Sequence, residues 1–190
     1  MISKCADAVT DWLISCDAVE NKDKELYRYA LYSIFLSVSP IFMAIGIGLC
    51  LGCVWQSVTI IIPFMLIRKF SGGYHAKHSW SCLIGSSFLL LLCIVLSFQI
   101  EFGWMLECVT LGAAVSLIYF SPIDNENREL SKGECKRYKK IAAILVISFL
   151  FTKQIFFFCQ LCTYSICISL GIILSAGLQI PCIFKKFGKN

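Results

Sequence analysis

Apolar runs and polar interruptions alternate along the chain, and their lengths predict an all-α, polytopic membrane protein. The 39 residues from Tyr29 to Ile67 carry no charge. That run is too long for one bilayer-spanning helix of roughly 20 residues and suits two helices with a tight turn. Further apolar runs follow the polar segments 68–81 and 121–140. The pattern predicts about six transmembrane helices, at residues 29–49, 53–67, 82–99, 104–120, 141–158 and 162–184.

Residues 1–28 predict an amphipathic helix that precedes the first span. One face carries the apolar side chains Ile2, Cys5, Val9, Trp12, Leu13, Cys16 and Val19, and the opposite face carries Lys4, Asp7, Asp11 and Asp17. Six acids precede residue 26, which argues against strong attraction to anionic lipid and favours packing against protein. The alternative is that this face receives a peptide substrate.

Basic residues are concentrated on one side of the six-span arrangement. Sixteen of the 17 Lys and Arg residues fall in the two termini and the two polar segments, and only Lys153 is left for the other side. The positive-inside rule makes the basic side cytoplasmic. We therefore expect one membrane domain over residues 1–190, with both termini, the amphipathic helix and the 68–81 loop in the cytoplasm.

The composition is 58% hydrophobic and includes 12 cysteines. Most of these cysteines lie in or beside apolar runs, where a thiol acts as a small hydrophobe. The pairs Cys50/Cys53 and Cys159/Cys162 would supply four thiolates to zinc, or form disulfides near the predicted external turns. Their apolar surroundings favour simple packing. We expect no metal and no cofactor, and no nucleic acid among the partners.

The polar segment 68–82 holds both histidines of the chain and ends in a cysteine. Taken singly, His75 would be interpreted as a polar residue at the membrane interface. Cys82 would be interpreted as a residue of the apolar core. Together at a membrane surface they suggest a cysteine nucleophile with its base. The pair Gly72-Gly73 gives the backbone access to left-handed conformations and lets another chain approach closely.

Arg68 ends the second predicted span, five residues before Gly73. Its guanidinium would pair bidentately with a carboxylate of a substrate. The alternative is an ordinary basic anchor of the span at the cytoplasmic surface.

The spacing between His75 and Cys82 requires a break in the helix. In a continuous helix their Cα atoms would lie about 10.5 Å apart, which is too far for direct proton transfer. We expect the loop to fold back and the helix to start later, with Ser79 as its N-cap. Cys82 then lies in the first turn, where the helix dipole and a protonated His75 favour the thiolate.

The run from Arg68 through Gly-Gly-Tyr-His to Cys82 resembles the signature of the accessory gene regulator B (AgrB) family. These are bacterial cell-membrane cysteine endopeptidases that process autoinducing-peptide precursors in quorum sensing. Pro122 followed by Asn127 is similar to the family's Pro-x-x-x-x-Asn segment after the fourth span. Arg128 departs from the lysine expected there. The resemblance covers almost the whole chain.

The resemblance implies that Cys82 attacks a peptide bond of the precursor while His75 acts as general base and then general acid. An internal nucleophile of the peptide, usually a cysteine, then closes a thiolactone or lactone ring on the acyl-enzyme thioester. It also implies substrate contacts at Pro122 and Asn127, beside those expected at Arg68 and at Gly72-Gly73. The partners implied are a short precursor peptide, the lipid bilayer and a second copy of the chain in a homodimer.

A non-enzymatic multi-span protein, such as a transporter subunit or an assembly factor, is the alternative function. It explains the spans and the charge bias equally well. It leaves the Gly-Gly-x-His-x6-Cys motif without a purpose. A zinc protease would need a motif such as His-Glu-x-x-His, which two histidines at this spacing do not supply.

Overall fold

The computed structural model describes residues 2–16, 18–72, 79–123 and 132–187. These ranges are helical with short connections and contain no strand, so the all-α prediction is confirmed. The helices are α1 (Ile2–Ser15), α2 (Lys24–Leu51, preceded by a 3-10 turn at Asn21–Asp23), α3 (Val54–Ser71), α4 (Ser79–Gln99), α5 (Trp104–Phe120), α6 (Lys132–Phe158), α7 (Cys162–Gly177) and α8 (Ile180–Phe187).

Two compact units divide the chain, Met1–Met43 and Ala44–Asn190. The first contains α1 and the amino-terminal part of α2. The second contains the end of α2 and the remaining helices. The single membrane domain expected over residues 1–190 stays a prediction.

The first unit contains an amino-terminal helix that is shorter than the expected 1–28, because α1 ends at Ser15 and α2 already begins at Lys24. Ala6 and Thr10 of α1 are buried, whereas Trp12, expected on the packed face, is 62% exposed. The reason lies in the acids of the predicted polar face. Asp11 pairs with Lys24 at 2.7 Å and Asp7 with Arg28 at 2.5 Å, and these ion pairs turn the acidic side of α1 toward α2.

Helix boundaries in the second unit follow turn chemistry closely. Gly52 ends α2 with φ +68°, a left-handed conformation that glycine adopts without steric cost. The turn expected at residues 49–54 is therefore where α2 gives way to α3. Similarly, α4 ends at Gln99 and α5 begins at Trp104. Two bounds differ from those expected. Helix α6 begins at Lys132 rather than near Ile141, because residues 134–140 contain no helix breaker. The span expected over 162–184 is divided into α7 and α8 by a turn after Gly177.

Helix α7 forms the centre of the second unit. Ten of its residues are buried, and they contribute to two apolar clusters. One cluster joins α7 to α3 and α4 through residues such as Ile60, Ile94 and Leu170. The other joins it to α5 and α6 through residues such as Leu117, Val146 and Ile172. A helix surrounded in this way exposes little of its surface to lipid, so its sequence is apolar all round.

Helices α3 and α7 run parallel and approach closely along one face. Gly171 lies so close to α3 that a Cβ atom on it would be 2.7 Å from the carbonyl oxygen of Ile60. One turn later, Ser175 Oγ donates to the carbonyl oxygens of Gly171 at 2.9 Å and of Phe64 at 3.5 Å. Small residues and backbone-directed hydroxyls are the usual means by which membrane helices pack closely.

A buried ion pair joins α5 and α6 at the end of the bundle where α5 begins. Lys153 is 1% exposed, and its Nζ donates to Glu107 Oε1 at 2.6 Å. The same ammonium lies 5.8 Å from the centre of the Phe102 ring. Lys153 is therefore enclosed by the bundle. The sequence predicts only that it lies on the side of the protein with few bases.

Large apolar side chains cover the outside of the bundle. Trp55 and Trp104, in the first turns of α3 and α5, are 73% and 81% exposed. An apolar surface this extensive indicates a membrane environment, and aromatic side chains at helix ends are typical of the bilayer interface. By length and composition, three helical stretches within the described residues are able to cross a membrane: Asn21–Leu51, Gly133–Phe158 and Cys162–Phe184. The count of six spans stays a prediction.

We predict that Gly171→Ala lowers the free energy of unfolding by about 1–3 kcal/mol, because the added methyl group would force α3 and α7 apart. Thermal unfolding of the purified protein in detergent micelles measures this change. Gly177→Ala is the matched control, since a Cβ atom at Gly177 meets nothing within 4 Å. Equal effects of the two substitutions would contradict the close approach of α3 and α7.

Candidate active site

Arg68 lies in the last turn of α3 and is half-buried. Its guanidinium carbon is 5.6 Å from the centre of the Phe64 ring, one turn earlier on the same helix. Such a cation–π contact fixes a long side chain along the helix surface. The neighbouring Lys69 is exposed, so the two bases differ in environment although they are adjacent in sequence.

Gly72 ends α3 in a conformation that favours glycine. Its φ is +73°, and its N–H donates to the carbonyl oxygen of Arg68 at 3.1 Å. A Cβ atom at this position would collide with the carbonyl oxygen of Ile123. Gly72 is therefore closely packed against the residue that follows Pro122. The approach of another chain to the glycine pair stays a prediction.

The ends of α3, α5 and α7 meet at one polar junction, which we define as Ser71, Ser121, Ile123 and Gln179. The Ile123 N–H donates to the carbonyl oxygen of Ser71 at 3.0 Å. Gln179 Nε2 donates to the same carbonyl at 3.3 Å and to Ser121 Oγ at 3.1 Å. Hydrogen bonds therefore link the starting points of the two polar segments that carry the predicted motif residues.

Gln179 is the residue of this junction that the sequence analysis missed. It lies between α7 and α8 and is 0% exposed. The signal was present: a glutamine within an otherwise apolar last span, at helical spacing from Gly171 and Ser175. Without knowledge of the facing helix, that spacing does not reveal which carbonyl the amide reaches.

Cys82 lies in the first turn of α4. The helix begins at Ser79, one residue earlier than expected with Ser79 as the N-cap. Further along α4, Cys93 and Ile94 belong to the apolar cluster that also contains Ile60 and Phe64 of α3.

Three of the predicted site residues, Gly73, His75 and Asn127, lie outside the described residues. The distance between the imidazole and the thiol, and the expected fold-back of the loop, thus stay predictions.

The remaining cysteines are distributed between core and surface. Cys53 is buried and Cys50 exposed, and Cys159 is exposed whereas Cys162 is half-buried. No disulfide joins the cysteines whose side chains the structure describes. Within that part of the chain, His, Cys, Asp and Glu side chains also form no cluster suited to a metal ion.

A separate cavity of about 380 Å³ lies in the first unit. It is lined by Ser3, Ala6, Glu25, Arg28, Tyr29 and Tyr32. Its Arg28 pairs with Asp7 and Glu25. The proposal that the amino-terminal helix receives a substrate stays a prediction.

The helical bundle with its apolar exterior is that of a membrane protein, and Cys82 lies at the start of one of its helices. The family model of accessory gene regulator B matches residues 6–182. The chain therefore belongs to the accessory gene regulator B family, as its Gly-Gly-x-His-x6-Cys motif predicted.

Individual relatives are similar over most of their length. Accessory gene regulator protein B of Staphylococcus carnosus (strain TM300) is 24% identical over 183 residues, which cover 94% of each chain. A putative AgrB-like protein of Listeria monocytogenes serotype 4b (strain CLIP80459) is 26% identical over 144 residues, 74% of this chain and 70% of the relative. Putative AgrB-like protein 2 of Clostridium perfringens (strain 13 / Type A) is 22% identical over 166 residues, 80% and 76% of the two chains. No solved structure matches this chain.

We predict that Gly72→Ala reduces peptide processing at least about tenfold, because a methyl group at φ +73° is strained and displaces Ile123. Processing of a precursor peptide in membrane vesicles measures the effect. Gly85→Ala in α4 is the control, since a Cβ atom there meets nothing within 4 Å. Normal processing by Gly72→Ala would show that the contact with Ile123 has no bearing on the reaction.

Proposed function

We propose that the protein is a membrane cysteine endopeptidase of quorum sensing that cleaves the carboxy-terminal part from a peptide precursor and cyclises the remainder. Cys82 is the nucleophile and His75 its base. The main support is the position of Cys82 in the first turn of α4, at the spacing from His75 that the family motif requires. Membership of the accessory gene regulator B family over residues 6–182 adds to this support.

The chemistry proceeds by two acyl transfers. The Cys82 thiolate attacks the scissile carbonyl, and His75 gives the proton to the leaving amine, so that a thioester remains on the enzyme. A thiol or hydroxyl of the bound peptide then attacks this thioester. It closes a thiolactone or lactone, and the Cys82 thiol is restored. No cofactor takes part in either step.

The second step requires that water be kept away from the thioester. Exchange of one thioester for another is nearly balanced, whereas hydrolysis is strongly downhill. A site at the bilayer edge, flanked by the apolar ends of helices, suits this requirement. Backbone N–H groups in the first turn of α4 have no partner within the helix and are candidates for the oxyanion hole.

Substrate contacts in this proposal are made by Arg68, by Gly72-Gly73 and by the Pro122–Asn127 segment. Both termini and the 68–81 loop face the cytoplasm of the bacterial cell, in line with the concentration of bases on one side. A homodimer in the membrane is proposed from the family resemblance.

We predict that a precursor whose ring-closing cysteine is replaced by alanine traps the acyl-enzyme. The first transfer then proceeds, but no internal acceptor is present for the second. A covalent adduct that hydroxylamine releases should accumulate, and peptide mapping by mass spectrometry should place it on Cys82. Cys82→Ala should abolish cleavage while precursor binding persists, because replacing a thiol by a hydrogen at a helix start is structurally mild.

The other eleven cysteines make the location of the adduct decisive. Exposed Cys159 and Cys108 serve as matched controls, and alanine at either should leave the adduct unchanged. An adduct on a cysteine other than Cys82, or cleavage by Cys82→Ala, would overturn the assignment.

We predict that Arg68→Lys weakens apparent substrate affinity about tenfold, or by about 1.4 kcal/mol. Lysine retains the charge of a cytoplasmic anchor but loses the guanidinium fork that pairs with a carboxylate. Initial rates over a range of precursor concentrations separate this effect from an effect on turnover. Lys69→Gln is the control, since Lys69 is exposed next to it. If Arg68→Lys binds the precursor with unchanged affinity, Arg68 does not pair with the substrate and serves only as a basic anchor of the helix.

A further inference from the structure

The amide of Gln179 is fully buried, and its two sides differ in hydrogen bonding. The Ser71 carbonyl is an acceptor only, so the nitrogen of the amide must face it. Nε2 uses one N–H for that carbonyl, at 3.3 Å, and the other for Ser121 Oγ, at 3.1 Å. Oε1 is left without a hydrogen-bond partner among the described residues.

A residue that served only packing would not require this amide. The helix pair α3–α7 is held by apolar contacts and by the close approach at Gly171. A methionine of similar length would fill the position of Gln179 and would remove the unpartnered Oε1. It would also remove the N–H groups that the Ser71 carbonyl oxygen and Ser121 Oγ accept. A buried polar group with specific partners fixes one arrangement of the elements that it joins.

The elements joined at Gln179 lead directly into the catalytic segments. Ser71 precedes His75 by four residues, and Ser121 precedes Asn127 by six. The carbonyl of Ser71 also accepts the Ile123 N–H at 3.0 Å, so both of its lone pairs are used. The end of α3 is thus fixed relative to the chain that follows α5.

We propose that Gln179 is a positioning residue for the catalytic base. By fixing Ser71 relative to Ser121, it sets the point from which the chain leads to His75. The inference rests on the proposed function, because it assumes that His75 activates Cys82. Gln179 itself touches neither the substrate nor the reacting atoms.

The test measures the reactivity of Cys82 rather than processing alone. The full chain in detergent micelles is treated with iodoacetamide across a range of pH, and alkylation of each cysteine is followed by mass spectrometry. A thiol activated by a histidine is alkylated rapidly at neutral pH because it is already a thiolate. In the wild-type protein we expect Cys82 to react at least about tenfold faster at neutral pH than exposed Cys5.

In Gln179→Met we expect alkylation of Cys82 at neutral pH to fall about tenfold and to recover at alkaline pH, where any thiol ionises. Buried Cys53 and Cys167 report on the fold in the same sample. They should remain protected. The matched control is Ser165→Ala on α7, since the Ser165 hydroxyl is also buried and has no partner among the described residues. This variant should leave Cys82 as reactive as in the wild type.

The outcomes separate the two proposals. Rapid alkylation of Cys82 in both the wild type and Gln179→Met overturns the role of Gln179 and leaves the nucleophile in place. If Cys82 of the wild-type protein is alkylated no faster than Cys5, the activation by His75 is overturned, and so is the inference about Gln179.

If Gln179→Met exposes Cys53 to alkylation, a second variant decides instead. This variant is Ser121→Ala, which removes one acceptor of the Gln179 amide. Ser121→Ala should also lower the alkylation rate of Cys82 at neutral pH, by a smaller factor than Gln179→Met. An unchanged rate overturns the inference.

Discussion

The carbonyl oxygen of Ser71 is the group on which the arrangement of one end of the bundle depends. A helix end inside a membrane protein has carbonyl groups that lack intrahelical partners, and water is not freely available to them. Here the Ile123 N–H and the Gln179 amide supply both hydrogen bonds. Satisfying one backbone group therefore brings together three helix ends that lie far apart in sequence.

The approach of α3 and α7 makes those hydrogen bonds possible. Gly171 removes the side chain that would separate the helices, and Ser175 satisfies its hydroxyl on the backbone of its own helix. Gln179 follows in the turn between α7 and α8, and from there its amide reaches the end of α3. Packing near the middle of the helices thus determines the polar arrangement at their end.

The sequence predicts the helices well because membrane helices are specified by the length of apolar runs and by turn residues. The turn at Gly52 and the start of α4 at Ser79 lie where the residues indicate. What the sequence does not reveal is how helices face each other. Neither the partners of Gln179 nor the contact of Gly72 with Ile123 follows from local pattern, because both depend on residues more than 50 positions away. The ion pairs between acids of α1 and bases of α2 do not follow from local pattern for a similar reason, because they join two different helices.

The ion pair between Lys153 and Glu107 explains how a lysine is accommodated among apolar helices. The Lys153 side chain is 2% exposed, and the Glu107 side chain is 27% exposed. An enclosed ammonium group without a partner would be strongly destabilising, and the carboxylate offsets that cost. The two residues therefore depend on each other, and the loss of Glu107 would leave an enclosed positive charge between α5 and α6.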